Sequence, residues 1–264
     1  MPLLSRRRTI LAKIETTYGT DPTPTGAANA IVVRNLNVNP LNANVVTRDI
    51  IRPYLGNYEA LIATKNVQMD FEVEAAGSGT AGTVPAYGCL LRACGLQETV
   101  SVGTKVDYKP ISTGFESVTI YCNIDGVQHK ITGARGTVQM TFNTGAIPVF
   151  KFTLTGIYNA PTDVAVPTVT YTQLTPLPVN NTNTSGFSLF GYTGNLKNLD
   201  INLAADIQWR ELVGTNYVPV SYTHLGDHVL FEAVSIATKD YFTAALGTAT
   251  GALALTHGTT AGNK

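Results

Sequence analysis

The chain has 264 residues, of which 44% are apolar and only 14% are charged, and its 18 basic and 18 acidic residues give a formal net charge of zero. A balanced charge excludes a global field that would attract nucleic acid, and the sequence has no apolar run of 18 residues that would predict a membrane-spanning helix. The length suffices for one large β unit or for two small domains, each with its own core.

Three cysteines, Cys89, Cys94 and Cys122, form an odd set without Cys-x-x-Cys spacing. This argues against a disulfide framework or a zinc site, and we expect Cys89 and Cys94, which fall among apolar residues, to be small core side chains. The basic cluster Arg6-Arg7-Arg8 is not followed by a long apolar region. We therefore expect a solvated terminus, no signal peptide and synthesis in a reducing cytoplasm.

β-Branched residues, turn signals and apolar periodicity predict many strands and two helices. The expected strands cover residues 30–38, 45–51, 67–74, 118–124, 127–132, 137–142, 149–157, 197–209, 217–223, 229–237 and 252–256. The expected helices cover residues 84–96 and 240–246, and residues 161–180, with four prolines, read as an extended linker. This pattern indicates a mainly β sandwich or barrel, not alternating βαβ units.

The segment 65–76 shows the clearest two-residue period in the chain. Its apolar residues Val67, Met69, Phe71 and Val73 alternate with Gln68, Asp70, Glu72 and Glu74. Alternate residues of a strand point to opposite faces, so one face is predicted to be apolar and the other acidic. The strand leads into residues 77–82, GSGTAG, which fit the G-x-G-x-x-G spacing of a dinucleotide loop.

We do not expect nucleotide binding, because the parallel strand before such a loop is buried on both faces and would bury the three acids unpaired. His224 and His228 share a face only on a helix, which Pro219 and Gly226 argue against. Residues 186–191 are one residue too long for a nucleophile elbow. The sequence thus predicts no catalytic constellation, metal site or cofactor.

The Lys-Asn start and apolar alternation of residues 65–71 recur at residues 197–203, where Asp200 and Asn202 take the polar positions. Each copy is followed later by one of the two predicted helices. We interpret this echo as a sign of a duplicated module. The predicted organisation is a first module at 1–160, a linker at 161–180 and a second, smaller β module at 181–264, with one flanking helix per module.

Three stretches resemble major tail tube proteins of long-tailed bacteriophages with flexible, non-contractile tails. They are residues 12–22, residues 85–95 and residues 133–137, the last with the later Pro148, Phe152 and Thr155-Gly156. The resemblance covers residues 10–160 and weakens beyond residue 180. It implies a sandwich or barrel-like core with a flanking helix and a structural role in the virion tail, assembled in the host cytoplasm.

In that family, subunits join edge to edge into rings of six, or of three when each chain carries two modules, and the rings stack into a tube. An extended arm commonly bridges successive rings. Residues 52–65 are the best candidate arm, with Arg52, Pro53, Tyr54, Leu55 and Tyr58 as its contact residues, and the N-terminal segment is a second candidate. The expected partners are other copies of the chain, a tape measure protein, and tail terminator and distal tail proteins.

Genomic DNA passing through such a tube must not adhere, and basic residues strengthen nonspecific binding to phosphates. We therefore expect Gln68, Asp70, Glu72, Glu74, Asp200 and Asn202 to face the lumen. The alternative is that these residues face outside solvent. Two other functions stay open: the tube of a contractile tail or injection machine, and a β-sandwich surface or adhesin module. An enzyme is the least favoured.

Overall fold

The computed structural model describes residues 4–222, 226–232, 234–247 and 250–263. The chain is mainly β, as predicted, with two short helices among the described residues. The helices are α1 (Gly88–Ala93) and α2 (Tyr241–Leu246). The strands are β1 (Arg8–Ile14), β2 (Ala30–Ile31), β3 (Arg34–Thr47), β4 (Ala60–Glu74), β5 (Leu96–Ser101), β6 (Lys105–Pro110), β7 (Val118–Ile124), β8 (Val127–Asn143), β9 (Val149–Tyr158), β10 (Thr162–Asp163), β11 (Thr184–Leu189), β12 (Leu196–Asn202), β13 (Ala205–Ile207), β14 (Arg210–Leu212), β15 (Thr215–Tyr217), β16 (Val220–Tyr222), β17 (Gly226–Phe231) and β18 (Leu253–His257).

One antiparallel sheet of ten strands organises the molecule, with the central order β2-β1-β7-β8-β9-β4-β3. Strand β8 has 17 residues and is long enough to take two neighbours on each edge. On one edge it pairs with β7 and then, beyond the end of β7, with β12, which in turn pairs with β17. On the other edge it pairs with β9 and β10. Of the strands after residue 180, β12 and β17 are therefore hydrogen-bonded into the same sheet as the first part of the chain, whereas β11 with β18, β13 with β16 and β14 with β15 form separate two-stranded sheets.

The main core lies on the apolar face of this sheet. Phe71, Phe152 and Leu154 are almost fully buried there, together with Leu90 and Cys94 of the α1 region. Burial raises the pKa of the Cys89 and Cys122 thiols to about 12, and it raises the pKa of Cys94 as well. All three cysteines are free thiols, and Cys89 and Cys94 pack as small apolar side chains, as the sequence predicts.

Local turn chemistry explains the element ends that the sequence predicts best. Asp125 and Gly126 have positive φ angles and join Ile124 directly to Val127, as a two-residue hairpin requires. The helix expected over residues 84–96 is shorter, because it starts only after Tyr87 and ends before Gly95, whose φ of +84° stops it. Residues 127–132 and 137–142 belong to one continuous strand, β8, and not to two.

The N-terminal segment and both echoed strands are part of the main sheet. The N-terminal segment, the second candidate arm, supplies β1 to the sheet, where Ile10, Leu11 and Ala12 are buried. It is therefore not a free arm over these residues. The echoed strands have different surroundings: β4 lies between β3 and β9, whereas β12 lies between β8 and β17.

Candidate functional site: a polar sheet face and a projecting hairpin

The strand β4 has the two-faced character that its sequence predicts. Val67, Met69, Phe71 and Val73 are each at most 2% exposed. Their neighbours are half-buried on the opposite face: Gln68, Asp70, Glu72 and Glu74. Burying the apolar row stabilises the sheet through the hydrophobic effect, while the polar row stays in water and avoids the cost of burying charge.

Cross-strand register brings all six predicted polar residues onto this one face, because directly paired residues of an antiparallel sheet share a face. One row runs from Glu72 through Lys151 and Gln139 to Asn202. The next row runs from Glu74 through Val149 and Thr141 to Asp200. The sequence alone could not have joined the residues of β4 to those of β12, since the two strands lie more than 120 positions apart and meet only through β8 and β9.

The charge of this polar face is acidic but partly compensated. Its carboxylates are Asp70, Glu72, Glu74 and Asp200, and its cations are Arg34, Lys151 and Arg135, so four negative and three positive charges leave a net charge of −1. Arg34 Nε donates to Glu72 Oε2 at 2.8 Å, and its Nη1 lies 3.8 Å from Glu74 Oε1. The remaining surface is rich in amides and hydroxyls.

Strands β3 and β4 continue beyond the sheet as a two-stranded hairpin. Pairing between β4 and β9 ends at Asn66, whereas pairing between β3 and β4 continues to Thr47 opposite Ala60. The candidate arm 52–65 is therefore part loop and part strand: the tip of the hairpin covers residues 48–59, and residues 60–65 belong to β4. We call residues 42–65 the projecting hairpin.

The tip of the projecting hairpin is organised around Arg52. Its guanidinium lies 5.8 Å from the Tyr54 ring centroid and 5.6 Å from that of Tyr58, and it is 3.7 Å from Glu59, which also pairs with Arg48 at 2.6 Å. These cation–π contacts and ion pairs order a loop that would otherwise have few contacts. Apolar side chains remain in solvent around this centre: Val45, Val46, Ile51, Leu55, Leu61 and Ile62. With Pro53, all five predicted contact residues lie in this tip.

The glycine stretch 77–82 has a structural role. Gly77 N donates to Asn263 Oδ1 at 3.1 Å, and Gly79 N donates to the Gly262 carbonyl at 2.9 Å. A Cβ on Gly77 would come within 2.0 Å of that carbonyl oxygen. The backbone N–H groups that a dinucleotide loop would offer to phosphates are thus used to bind the C-terminal segment. Glycine is required at residue 77 because the two segments of the chain approach each other closely there.

Of the two histidines considered as a metal pair, His224 lies outside the described residues. His228 is on the polar face, paired with Asp200. The described part of the chain contains no group of three or more His, Cys, Asp or Glu side chains that could hold a metal ion, and its helices include none that is long and apolar enough to cross a membrane.

A buried carboxylate that sequence reasoning missed holds the N-terminal segment on the sheet. Glu15 is 6% exposed and accepts four hydrogen bonds: from Gly19 N at 2.7 Å, Ser117 Oγ at 2.6 Å, Thr119 Oγ1 at 2.6 Å and Gly133 N at 2.7 Å. The donors to Glu15 come from the turn after β1, from residues 117 and 119 at the start of β7, and from β8. Three of the four hydrogen bonds therefore join residues more than 100 positions apart. The only sequence signal is its place within the 12–22 stretch.

A mainly β chain with a polar-faced sheet and an exposed projecting hairpin is compatible with a structural protein that assembles with other chains. The family is given by comparison: a family model described as "Phage tail tube protein" matches residues 5–264. The chain therefore belongs to the phage tail tube protein family and has a structural role in the virion tail, where the family implies assembly into a tube with other tail proteins. No curated protein matches the chain.

Proposed function

We propose that this chain polymerises as stacked rings into the tail tube of a long, non-contractile phage tail, and that the tube conducts the genome into the host. It acts without catalysis and without a cofactor. It is assembled in the host cytoplasm onto a tape measure protein and is bounded by terminator and distal tail proteins. The observation that carries this proposal is the polar face, which extends over neighbouring strands of one sheet with its apolar reverse in the core.

The composition of the polar face supports its role as the lumen wall. Its net charge of −1 and its amides and hydroxyls give phosphates little to bind, since nonspecific DNA affinity grows with each neutralising Lys or Arg. Arg34 is held by Glu72 and Glu74, which reduces its availability to a passing phosphate. In this proposal Gln68, Asp70, Glu72, Glu74, Asp200 and Asn202 face the lumen.

The projecting hairpin supports the proposed contact between rings. Six exposed aliphatic side chains on a thin two-stranded ribbon are costly in a monomer and typical of a surface that another chain covers. Because Arg52 preorganises the tip, binding would cost less conformational entropy than the ordering of a free loop. We assign the next ring as the partner of this tip.

Electron microscopy of the purified full-length chain at increasing protein concentration tests the proposal. We expect hollow tubes with an axial repeat, and a class average that shows rings of three or six subunits. Sedimentation should show concentration-dependent growth, since assembly follows mass action. Monodisperse monomers at all concentrations and salt conditions, with no rings or tubes in the images, would contradict the proposal.

A further inference from the structure

We propose that Glu211, on the short hairpin formed by β14 and β15, is a positioning residue that fixes the direction of the projecting hairpin relative to the sheet. Its carboxylate binds the backbone of β4 at Lys65, where that strand leaves the sheet. This inference rests on the proposed function, because the direction of the hairpin matters only if its tip meets another ring. We call the contacts of Lys65 with Glu211 and Tyr158 the base clasp.

The main sheet alone does not fix the direction of the projecting hairpin. Strand β9 ends at Tyr158, and its last pair with β4 is Ile157 opposite Asn66. Beyond this pair, residues 60–65 are paired with β3 alone in the part of the chain that the structure describes. The register of β3 also shifts between Asn44 and Val45, and such irregularities bend a strand. Because a two-stranded ribbon is marginally stable by itself and twists more than a broad sheet, a further contact is needed to hold it in one direction.

Glu211 supplies this contact one residue beyond the last pair between β4 and β9. Lys65 N donates to Glu211 Oε2 at 3.3 Å, across 146 positions of the sequence. The indole Nε1 of Trp209 donates to the same oxygen at 3.3 Å and so orients the carboxylate from within its own segment. Hydrogen bonds of this length at an exposed site are individually modest. The contact therefore sets the direction of the ribbon more than it adds to the stability of the fold.

The hairpin that carries Glu211 is itself anchored to the body of the subunit. Its strands pair with Glu211 opposite Asn216. Val218, directly after β15, is fully buried, and its N donates to Tyr18 Oη at 2.9 Å. The Val218 carbonyl accepts from Arg135 Nη1 at 3.0 Å, and the Arg135 guanidinium lies 4.8 Å from the Tyr18 ring centroid. Because the N-terminal turn and β8 hold the end of β15 in this way, Glu211 is a fixed point to which β4 can bind.

The side chain of Lys65 is held at the same place as its backbone. Its Nζ lies 4.9 Å from the ring centroid of Tyr158, the last residue of β9. A cation at this distance is attracted to the negative face of an aromatic ring. The ion pairs of the tip, in contrast, join Glu59 to Arg48 and Arg52 within the tip itself. The base clasp therefore connects the direction of the ribbon to the body of the subunit, whereas the contacts of the tip fix only its local shape.

The base clasp acts on assembly through the fraction of subunits whose hairpin has the direction that the next ring requires. An apparent dissociation constant is the intrinsic one divided by the fraction of molecules in the competent conformation. The loss of one hydrogen bond changes a conformational equilibrium by about fivefold. We therefore expect a subunit without the Glu211 carboxylate to need about two to five times the wild-type protein concentration for tube growth.

The distance between two spin labels in the unassembled subunit tests the direction of the hairpin. Val46→Cys places one label on the ribbon and Val102→Cys places the other in the β5–β6 turn, and both side chains are exposed. The native thiols are poor competitors for the label, because burial raises the pKa of all three. We expect a narrow distance distribution that Glu211→Ala abolishes. Glu211→Gln keeps a side-chain carbonyl as the acceptor for Lys65 N and should retain the narrow distribution.

The matched control is Asp206→Ala, which removes an exposed carboxylate that accepts from Gln208 Nε2 at 2.9 Å within its own segment. Electron microscopy of the unlabelled variants over a concentration series then measures assembly, and we expect only Glu211→Ala to need more protein than the wild type. An unchanged distance distribution in Glu211→Ala would overturn the positioning role. A lost distribution with tubes at the wild-type concentration would overturn its part in assembly and leave the proposed function intact. If the wild-type chain forms no tubes or rings, the proposed function fails and that part in assembly fails with it, while the distances still decide whether Glu211 holds the hairpin.

Discussion

At the scale of single residues, Glu15 accepts four hydrogen bonds, which its position in the sequence does not predict. Its two oxygens bind two backbone N–H groups and two hydroxyls. The hydroxyls of Ser117 and Thr119 can rotate and find other acceptors, but the N–H groups of Gly19 and Gly133 cannot. The carboxylate is therefore needed for satisfying buried backbone donors, and its loss leaves them without an acceptor.

We predict that Glu15→Ala lowers the free energy of unfolding by about 3 kcal/mol, because buried donors lose a charged acceptor. Glu15→Gln retains one oxygen and should cost less. Chemical denaturation of the unassembled subunit measures both, and Glu59→Gln on the exposed hairpin tip is the control, with an expected change within about 0.5 kcal/mol. Equal stability of the Glu15→Ala and Glu59→Gln variants would contradict the role of Glu15.

At the scale of elements, the projecting hairpin and the sheet body are separable in structure, since β4 loses its β9 partner at Asn66 while its pairing with β3 continues. The tip makes its ion pairs and ring contacts within itself, between Arg48, Arg52, Tyr54, Tyr58 and Glu59. Removing it should therefore leave the fold of the body unchanged.

We predict that replacing residues 49–58 by Asn-Gly yields a folded subunit that cannot form long tubes. Arg48 N already donates to the Glu59 carbonyl at 3.2 Å, so a two-residue type I′ turn closes the ribbon at that pair. Circular dichroism checks the fold, and electron microscopy counts tubes and single rings. Normal tubes from this variant would rule out the tip as the contact between rings.

Elements whose signals are local could be predicted from the sequence. The alternation in β4 and the Asp125-Gly126 turn depend on neighbouring residues alone, and both are present in the structure. The glycine stretch shows the opposite case, because its spacing fits a phosphate loop while its partner is the C-terminal segment, with Gly77 and Asn263 186 positions apart. A local motif carries no information about which distant segment of the chain binds to its backbone groups.

At the scale of the whole molecule, the path of the sheet could not be predicted, because β8 changes neighbours along its length. The sequence predicts two strands over residues 127–142, whereas the single strand β8 pairs first with β7 and then with β12. Only this change places Asp200 and Asn202 on the face of Glu72 and Glu74. The mainly β class follows from composition and turns, but the candidate lumen face follows from non-local register.

The charge of the polar face should control how DNA passes through the assembled tube. Asp70→Lys with Asp200→Lys adds four units of charge and changes the face from −1 to +3. Because these side chains are outside the core, we predict tubes of normal form. Each added cation provides a phosphate contact, so duplex DNA should be retained in the tubes at low salt and released as salt increases. Retention of fluorescent DNA by sedimented tubes measures this effect.

The matched control for this experiment is Asp107→Lys with Asp163→Lys, which adds the same charge on β6 and β10, away from the polar face. If the polar face lines the lumen, the first pair should retain DNA that is protected from nuclease, whereas the control pair should retain only DNA that nuclease removes. Protection is the informative readout, because a narrow channel excludes the enzyme while an outer wall does not. Equal, nuclease-sensitive retention by both pairs, or a map with Asp70 and Glu72 on the outer wall, would show that the polar face is not the lumen.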